Sequence, residues 1–227
     1  MKSFNKKQLL FGVVFILAGL VLLQIPVTHL VGSGARFTAF DAFGPIAGGF
    51  LGSMPGAVSV FLMQIFNFVL HGAHVQDVGT IIRLFPMIFA AAYFGKRTKL
   101  NVIVPALAIL AFVASPIGRS AWYFSLYWLI PMVCYFYQDK FLLARSLGST
   151  FTAHAVGGAL WVYLVPMPAT VWIALIPVVA MERLSFAIGI SVMYLVVNNV
   201  LNYLNEKQLF SYQLPVNQNY VWNFAKN

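Results

Sequence analysis

The sequence predicts an all-α polytopic transmembrane bundle of six to eight helices, with a broken or short helix pair at about 38–70. Three observations carry this expectation. Hydrophobic residues make up 61% of the 227 positions and charged residues only 8%, against about a quarter charged in ordinary soluble domains. A soluble fold of this size has too little interior to hide so much apolar surface, a demand that lipid removes. The apolar residues also gather in runs near the roughly 17–25 residues a spanning helix needs, with most Lys and Arg between them. No polar linker divides the chain, so 1–227 reads as a single integral membrane domain.

Residues 9–25 form the first run. With the basic stretch 1–7 before it and Ser33-Gly34-Ala35 after it, the segment imitates a secretory signal. Its 17 uncharged residues exceed the roughly 7–15 of a signal core, so it reads as a first span, about 8–26, ended at Pro26. Residues 27–40 are a polar connection holding His29 and Arg36. Residues 41–70 are apolar but rich in breakers, and an interior proline costs a helix about 3 kcal/mol or more. Two joined helices, 38–53 and 55–70, turning at Ser53-Met54-Pro55, are expected. A polar loop with His71, His74 and Asp77 follows. Further spans are expected at about 79–95, 100–114, 121–137, 147–165 and 184–204. Residues 169–204 read either as one long helix or as an outer piece, 169–183, before the last span.

Charge sets the orientation. With the N-terminus inside, Lys2, Lys6, Lys7, Lys96, Arg97, Lys99, Lys140, Arg145, Lys207 and Lys226 fall on the cytoplasmic side, and only Arg36 and Arg119 fall in outer loops. That asymmetry follows the positive-inside rule and puts both termini in the cytoplasm. It also accounts for the net charge of +9 without nucleic acid as a partner. The lipid bilayer is the partner the composition requires.

Chemistry-bearing residues are few. Cys134 is the one cysteine, which excludes a disulfide framework or a cysteine metal site within the chain and fits a small buried hydrophobe. There is no His-Glu-x-x-His, Gly-x-Ser-x-Gly or Walker loop. The expectation is therefore no enzyme, no catalytic residues, no cofactor and no metal. His71 and His74 beside Asp77 would suit a metal only on a helix; loop polarity fits them better.

Gly44, Gly48, Gly52 and Gly56 recur every four residues, a small-residue spacing that lets membrane helices pack closely. Asp41, Arg83, His154, Glu182 and Arg183 are ionisable groups in or beside apolar runs, where a charge costs about 2.5–3.5 kcal/mol at a helix centre. They need mutual pairing, an interface or a wet cavity. Glu182 and Arg183 are adjacent and are expected to point in different directions on a helix, one of them inward. Trp122, Tyr123, Trp161, Tyr163 and Trp172 crowd the outer ends, as an aromatic belt or as a stacking surface. The expected pocket combines Asn67, Arg83, His154, Trp161, Trp172, Glu182 and Arg183. Arginines there would meet a carboxylate or phosphate, aromatics a ring, and Glu182 an amine or an arginine.

Residues 40–72 read FDAFGPIAGGFLGSMPGAVSVFLMQIFNFVLHG. This stretch, with its Gly44-Pro45-x-x-Gly48 run, resembles the substrate-binding S component of energy-coupling-factor transporters. Residues 81–97, with Arg83 and a Gly95-Lys96-Arg97 exit, and the final helix after Pro177 are also similar. The resemblance is firm over about 40–100. It implies a binder of a small vitamin-like solute or micronutrient in the prokaryotic cell (inner) membrane. It implies as partners a transmembrane coupling protein and two ATPase subunits. That family usually has six helices, and its first often carries Ala-x-x-x-Ala; here 9–25 holds only Gly12, Ala18 and Gly19. The alternatives are a stand-alone secondary transporter or channel, coupled through Asp41 or Glu182, and an intramembrane lipid-modifying enzyme, for which Asp139 is the only carboxylate in the inner loops before the C-terminal tail.

Overall fold

Breakers inside the apolar runs set the helix boundaries. The computed structural model describes residues 6–29, 36–75, 77–210 and 212–222, with side chains from Leu9 onward. Lys2, Lys226, the side chains of Lys6 and Lys7, and Ser33-Gly34-Ala35 lie outside the described residues. The described chain is mostly helical.

α1 (Lys6–Leu22) stops four residues short of Pro26. The connection expected to be irregular is instead an antiparallel hairpin, β1 (Pro26–His29) with β2 (Arg36–Thr38), with a bulge between Pro26 and Thr28. The next stretch breaks twice. Gly44-Pro45 separates α2 (Phe40–Phe43) from α3 (Ile46–Leu51), and Gly52, at φ +95°, turns the chain into α4 (Ser53–Leu70). The expected turn at Ser53-Met54-Pro55 is thus displaced to Gly52, because glycine alone takes that backbone region without a Cβ penalty. Pro55 fits inside the first turn of α4, where amide donors have no helical partner anyway.

α5 (Val78–Ile82) starts on Asp77, whose carboxylate accepts from Thr80 N at 3.0 Å, an ordinary N-cap. Pro86 then begins α6 (Pro86–Gly95). α7 (Leu100–Ala114) and α8 (Pro116–Ser120) follow, the second capped by Ser115. The run expected as one helix over 121–137 is a 3-10 segment, Trp122–Trp128, followed by α9 (Leu129–Cys134). Pro131 falls in the first turn of α9, where its missing amide costs no helical bond. α10 (Leu142–Leu164), α11 (Ala169–Ala174) and α12 (Ile176–Glu206) complete the bundle. Residues 169–204 are therefore neither one helix nor cut at 183. The break falls at Leu175, ahead of Pro177, and α12 begins eight residues before the expected 184.

Three stretches are long and apolar enough to cross a membrane: Ser53–Leu70, Val78–Gly95 and Ile176–Glu206. They are consistent with a membrane protein. α12 shows why. Leu184, Ile188, Val192, Val196 and Val200 form an exposed apolar stripe, while Arg183, Ala187, Ile190, Tyr194 and Asn198 face the protein. A helix apolar on both faces is what lipid on one side and protein on the other demand.

α10 is long but less apolar, because it packs on α6, α7, α9 and α12. A helix enclosed by others needs small residues more than lipid solubility. Ser146 and Ser149 are fully buried in it, with Ser149 Oγ donating to Ala90 O at 2.8 Å and Ser191 Oγ donating to Ser146 Oγ at 2.8 Å. Gly158 lies under the Trp128 indole, which a Cβ would meet at 2.6 Å.

The glycine ladder divides by role. A Cβ on Gly48 would lie 1.9 Å from Ala91 O, and one on Gly56 2.6 Å from the Ala47 carbonyl. These are backbone contacts of α3 with α6 and α4. Gly44 faces the side chains of Met87 and Phe40. Gly52 has no such neighbour; it is a turn residue and not a packing one.

Contacts define two ends. Gln24–Asn67, Asp41–Arg83, Phe37–Phe186 and Tyr127–Ile176 meet at one end. At the other, Arg145 donates to Phe94 O and Gly95 O, Arg97 pairs with Asp139, and Asn101 bonds Gln138. Here the chain after α12 turns back along it. Asn205 bonds both backbone groups of Leu214, Asn198 both of Asn217, and Asn199 bonds Tyr220 O and Trp222 N. Leu214 is buried, and Tyr220 stands edge-on to Tyr194 at 5.7 Å. Burial raises the Tyr220 phenol above its ordinary pKa.

Candidate functional site

A cavity of about 150 Å³ lies at the first end, between the hairpin, α2, α4–α6, α10, α11 and the start of α12. Six of the seven expected pocket residues line it: Arg83, His154, Trp161, Trp172, Glu182 and Arg183. Asn67 does not. It lines a neighbouring cleft of about 240 Å³, because α4 runs past the first cavity there and, of its described residues, Gln64, one turn earlier, is the one that touches both.

Each charge in the cavity has a partner. Arg83 Nη2 contacts Asp41 Oδ2 at 3.2 Å and Oδ1 at 3.3 Å. The same carboxylate accepts from Thr38 N at 2.7 Å, tying the hairpin to α2. Arg183 Nη2 meets Glu182 Oε2 at 2.7 Å, and its Nη1 reaches Thr150 Oγ1 at 3.4 Å. The expectation that one of Glu182 and Arg183 points inward holds for Arg183, which is buried, but the two side chains do not part. Both line the cavity, since two long side chains can curl toward each other although their Cα–Cβ vectors diverge.

Two guanidiniums sit near one ring. Arg83 lies 4.8 Å and Arg183 4.9 Å from the Phe37 centroid, a cation–π arrangement that seats the hairpin on the cavity. Strand alternation completes it: Phe37 lines the cavity, whereas its neighbours Arg36 and Thr38 line the adjacent cleft, as successive strand residues point oppositely.

The remaining wall is aromatic and rich in donors. Trp172 packs edge-on between Phe112 and Phe124, each at 5.0 Å. Trp128 Nε1 donates to His154 Nδ1 at 3.0 Å. An indole N–H can only donate, so a neutral His154 carries its proton on Nε2. Arg83 Nη1, Arg183 Nε and Trp172 Nε1 are buried with no hydrogen-bond partner among the described residues. Buried donors are rarely left so in native proteins.

Phe37, Phe124 and Thr150 had no signal in the sequence. Phe37 lay in a stretch read as a loop, and Thr150 is a small polar residue of a kind common inside bundles. Among the described residues, no three His, Cys, Asp or Glu side chains converge as a metal-ligand set.

Fold and site together define a helical bundle enclosing a ring-sized cavity with balanced charge and surplus donors. No family model matches the chain, and no solved structure matches it. It is 25% identical over 174 residues to an uncharacterized protein of Methanocaldococcus jannaschii, an alignment covering 69% of this chain and 59% of that protein. The chain thus spans less than two thirds of that relative's length.

Proposed function

We propose that the chain is a membrane-embedded substrate-binding subunit for uptake of a small, vitamin-like solute, resembling an energy-coupling-factor S component of a prokaryotic cell membrane. The cavity carries this reading: aromatic walls and two internally neutralised arginines around about 150 Å³, with unpartnered donors on three of the residues that line it. A cavity near 150 Å³ accommodates roughly one benzene-sized ring. Its donors suit carbonyl oxygens or ring nitrogens on that ring.

In this placement α1, α2–α3, α4, α5–α6, α7, the 3-10 segment with α9, α10 and α12 make eight crossings, or six if α2–α3 and α4 re-enter. The hairpin and cavity face outward, and both termini face the cytoplasm with the Lys96–Lys99 and Lys140–Arg145 clusters. The positive-inside asymmetry supports that orientation. Import would proceed with a transmembrane coupling protein and two ATPases.

Mass spectrometry of small molecules released from gently purified, denatured protein tests the reading. A stoichiometric ring compound that rebinds wild type and fails to rebind His154→Ala is the expected result. Only lipid and detergent, repeated after growth in rich medium, would sink it. A secondary transporter is the second reading, favoured by one observation: both cavity carboxylates, Asp41 and Glu182, are held by arginines that a coupling ion could release. Solute uptake by the reconstituted chain without ATPases would select it.

A further inference from the structure

We infer that the 240 Å³ cleft beside the cavity is a separate anion-binding site, built for a phosphoryl group. This goes beyond the ring-binding reading and does not need it. Among the described residues no carboxylate lines the cleft, while Arg36, Arg83 and His74 do. Arg36 makes no ion pair among the described residues. Arg83 uses Nη2 on Asp41 and keeps Nη1 without a partner.

The amide of Asn67 is also set for an anion. Gln24 Nε2 donates to Asn67 Oδ1 at 2.6 Å, so the oxygen is occupied and the orientation fixed. Among the described residues the Asn67 NH₂ has no acceptor and is left to donate. Two guanidiniums and an oriented amide in one cleft match the tetrahedral acceptor set of a phosphoryl group, for which arginine is the usual partner. The hairpin makes the division: Arg36 and Thr38 face this cleft and Phe37 the other cavity. Arg83 and Gln64 stand between the two. Joined with the ring-binding reading, on which this last step rests, the solute is a ring bearing a phosphoryl arm. Alternatively the phosphoryl group belongs to a lipid headgroup.

The test is equilibrium dialysis of radiolabelled inorganic phosphate against the purified full chain at physiological chloride. Saturable binding is expected, weakened roughly tenfold or more in Arg36→Gln and in Asn67→Leu, as for loss of a charge-assisted or oriented donor. The binding is then repeated in nanodiscs of phosphatidylcholine alone and with phosphatidylglycerol. Competition by the anionic lipid assigns the site to a headgroup; undiminished binding assigns it to a soluble anion. Absence of saturable binding, or equal binding by both variants, overturns the inference. Because phosphate alone is the probe, that outcome is separate from any failure of the ring-ligand assay.

Discussion

Trp128 holds His154 through a single hydrogen bond, indole Nε1 to imidazole Nδ1 at 3.0 Å. The bond selects the tautomer whose Nε2–H can serve a ligand acceptor. Trp128→Phe removes that selection. Titration of the released compound should show affinity about five- to tenfold lower, the worth of roughly one hydrogen bond. His154→Gln, which supplies an N–H of its own, should recover part of it.

Trp172 makes the opposite case. Its indole N–H is buried without a partner, which costs a folded protein about 1–3 kcal/mol. Trp172→Phe should leave the thermal midpoint of the ligand-free protein unchanged or raised, while weakening the ligand. A fall in both would show that the indole acts through packing alone.

The Arg83–Asp41 pair joins α2 to the end of α5 across 42 residues of sequence. Its side chains are 21% and 8% exposed, so breaking it should approach the roughly 3–5 kcal/mol of a buried pair. Asp41→Asn should lower the unfolding midpoint clearly. The double variant Asp41→Asn/Arg83→Met should be less harmed than the sum of the singles, as coupled residues are. Additive losses would show that the two do not interact.

Gly48 and Gly157 separate packing from mere smallness. A Cβ at Gly48 strikes the Ala91 carbonyl, which cannot rotate away, whereas at Gly157 it meets only Pro86 Cγ at 3.5 Å. Gly48→Ala should cost about 1–3 kcal/mol or more and show as aggregated or poorly folded material on size exclusion. Gly157→Ala should remain monodisperse.

Asn198 is fully buried and bonds both backbone groups of Asn217, at 3.0 and 2.8 Å. Asn198→Ala removes two bonds worth about 1 kcal/mol each. Cleavage of the tail near 208–213 by a dilute protease should accelerate roughly thirtyfold. An unchanged rate would mean the tail opens elsewhere.

Much of the site was legible because ionisable groups are costly in apolar surroundings. Arg83, Glu182, Arg183 and His154 stand out in the sequence for that reason alone, and the cavity gathers all four. Their partnerships were not legible. Nothing local links Asp41 to Arg83, and adjacency argued against the pairing of Glu182 with Arg183. Asn67 lines the neighbouring cleft instead, because polarity within a span does not say which side of the helix a residue takes. The hairpin escaped notice since strands of four and three residues are too short to show alternation. Most prolines marked breaks, although Pro105 lies inside α7; the exact turn at Gly52 depended on a backbone angle that spacing does not reveal.

The three asparagines that hold the returning chain grip peptide groups, and the side chains at 214, 217, 220 and 222 take no part in those bonds. The asparagines therefore set the position of the returning segment, and the packing of Leu214 and Tyr220 adds to that grip. Each carboxamide offers one oxygen and one NH₂, and a slip of one residue would set every donor against the wrong face of the chain. The device works like a vernier scale: it fixes where the chain lies along α12, and so sets Leu214 and Tyr220 at the places where they pack.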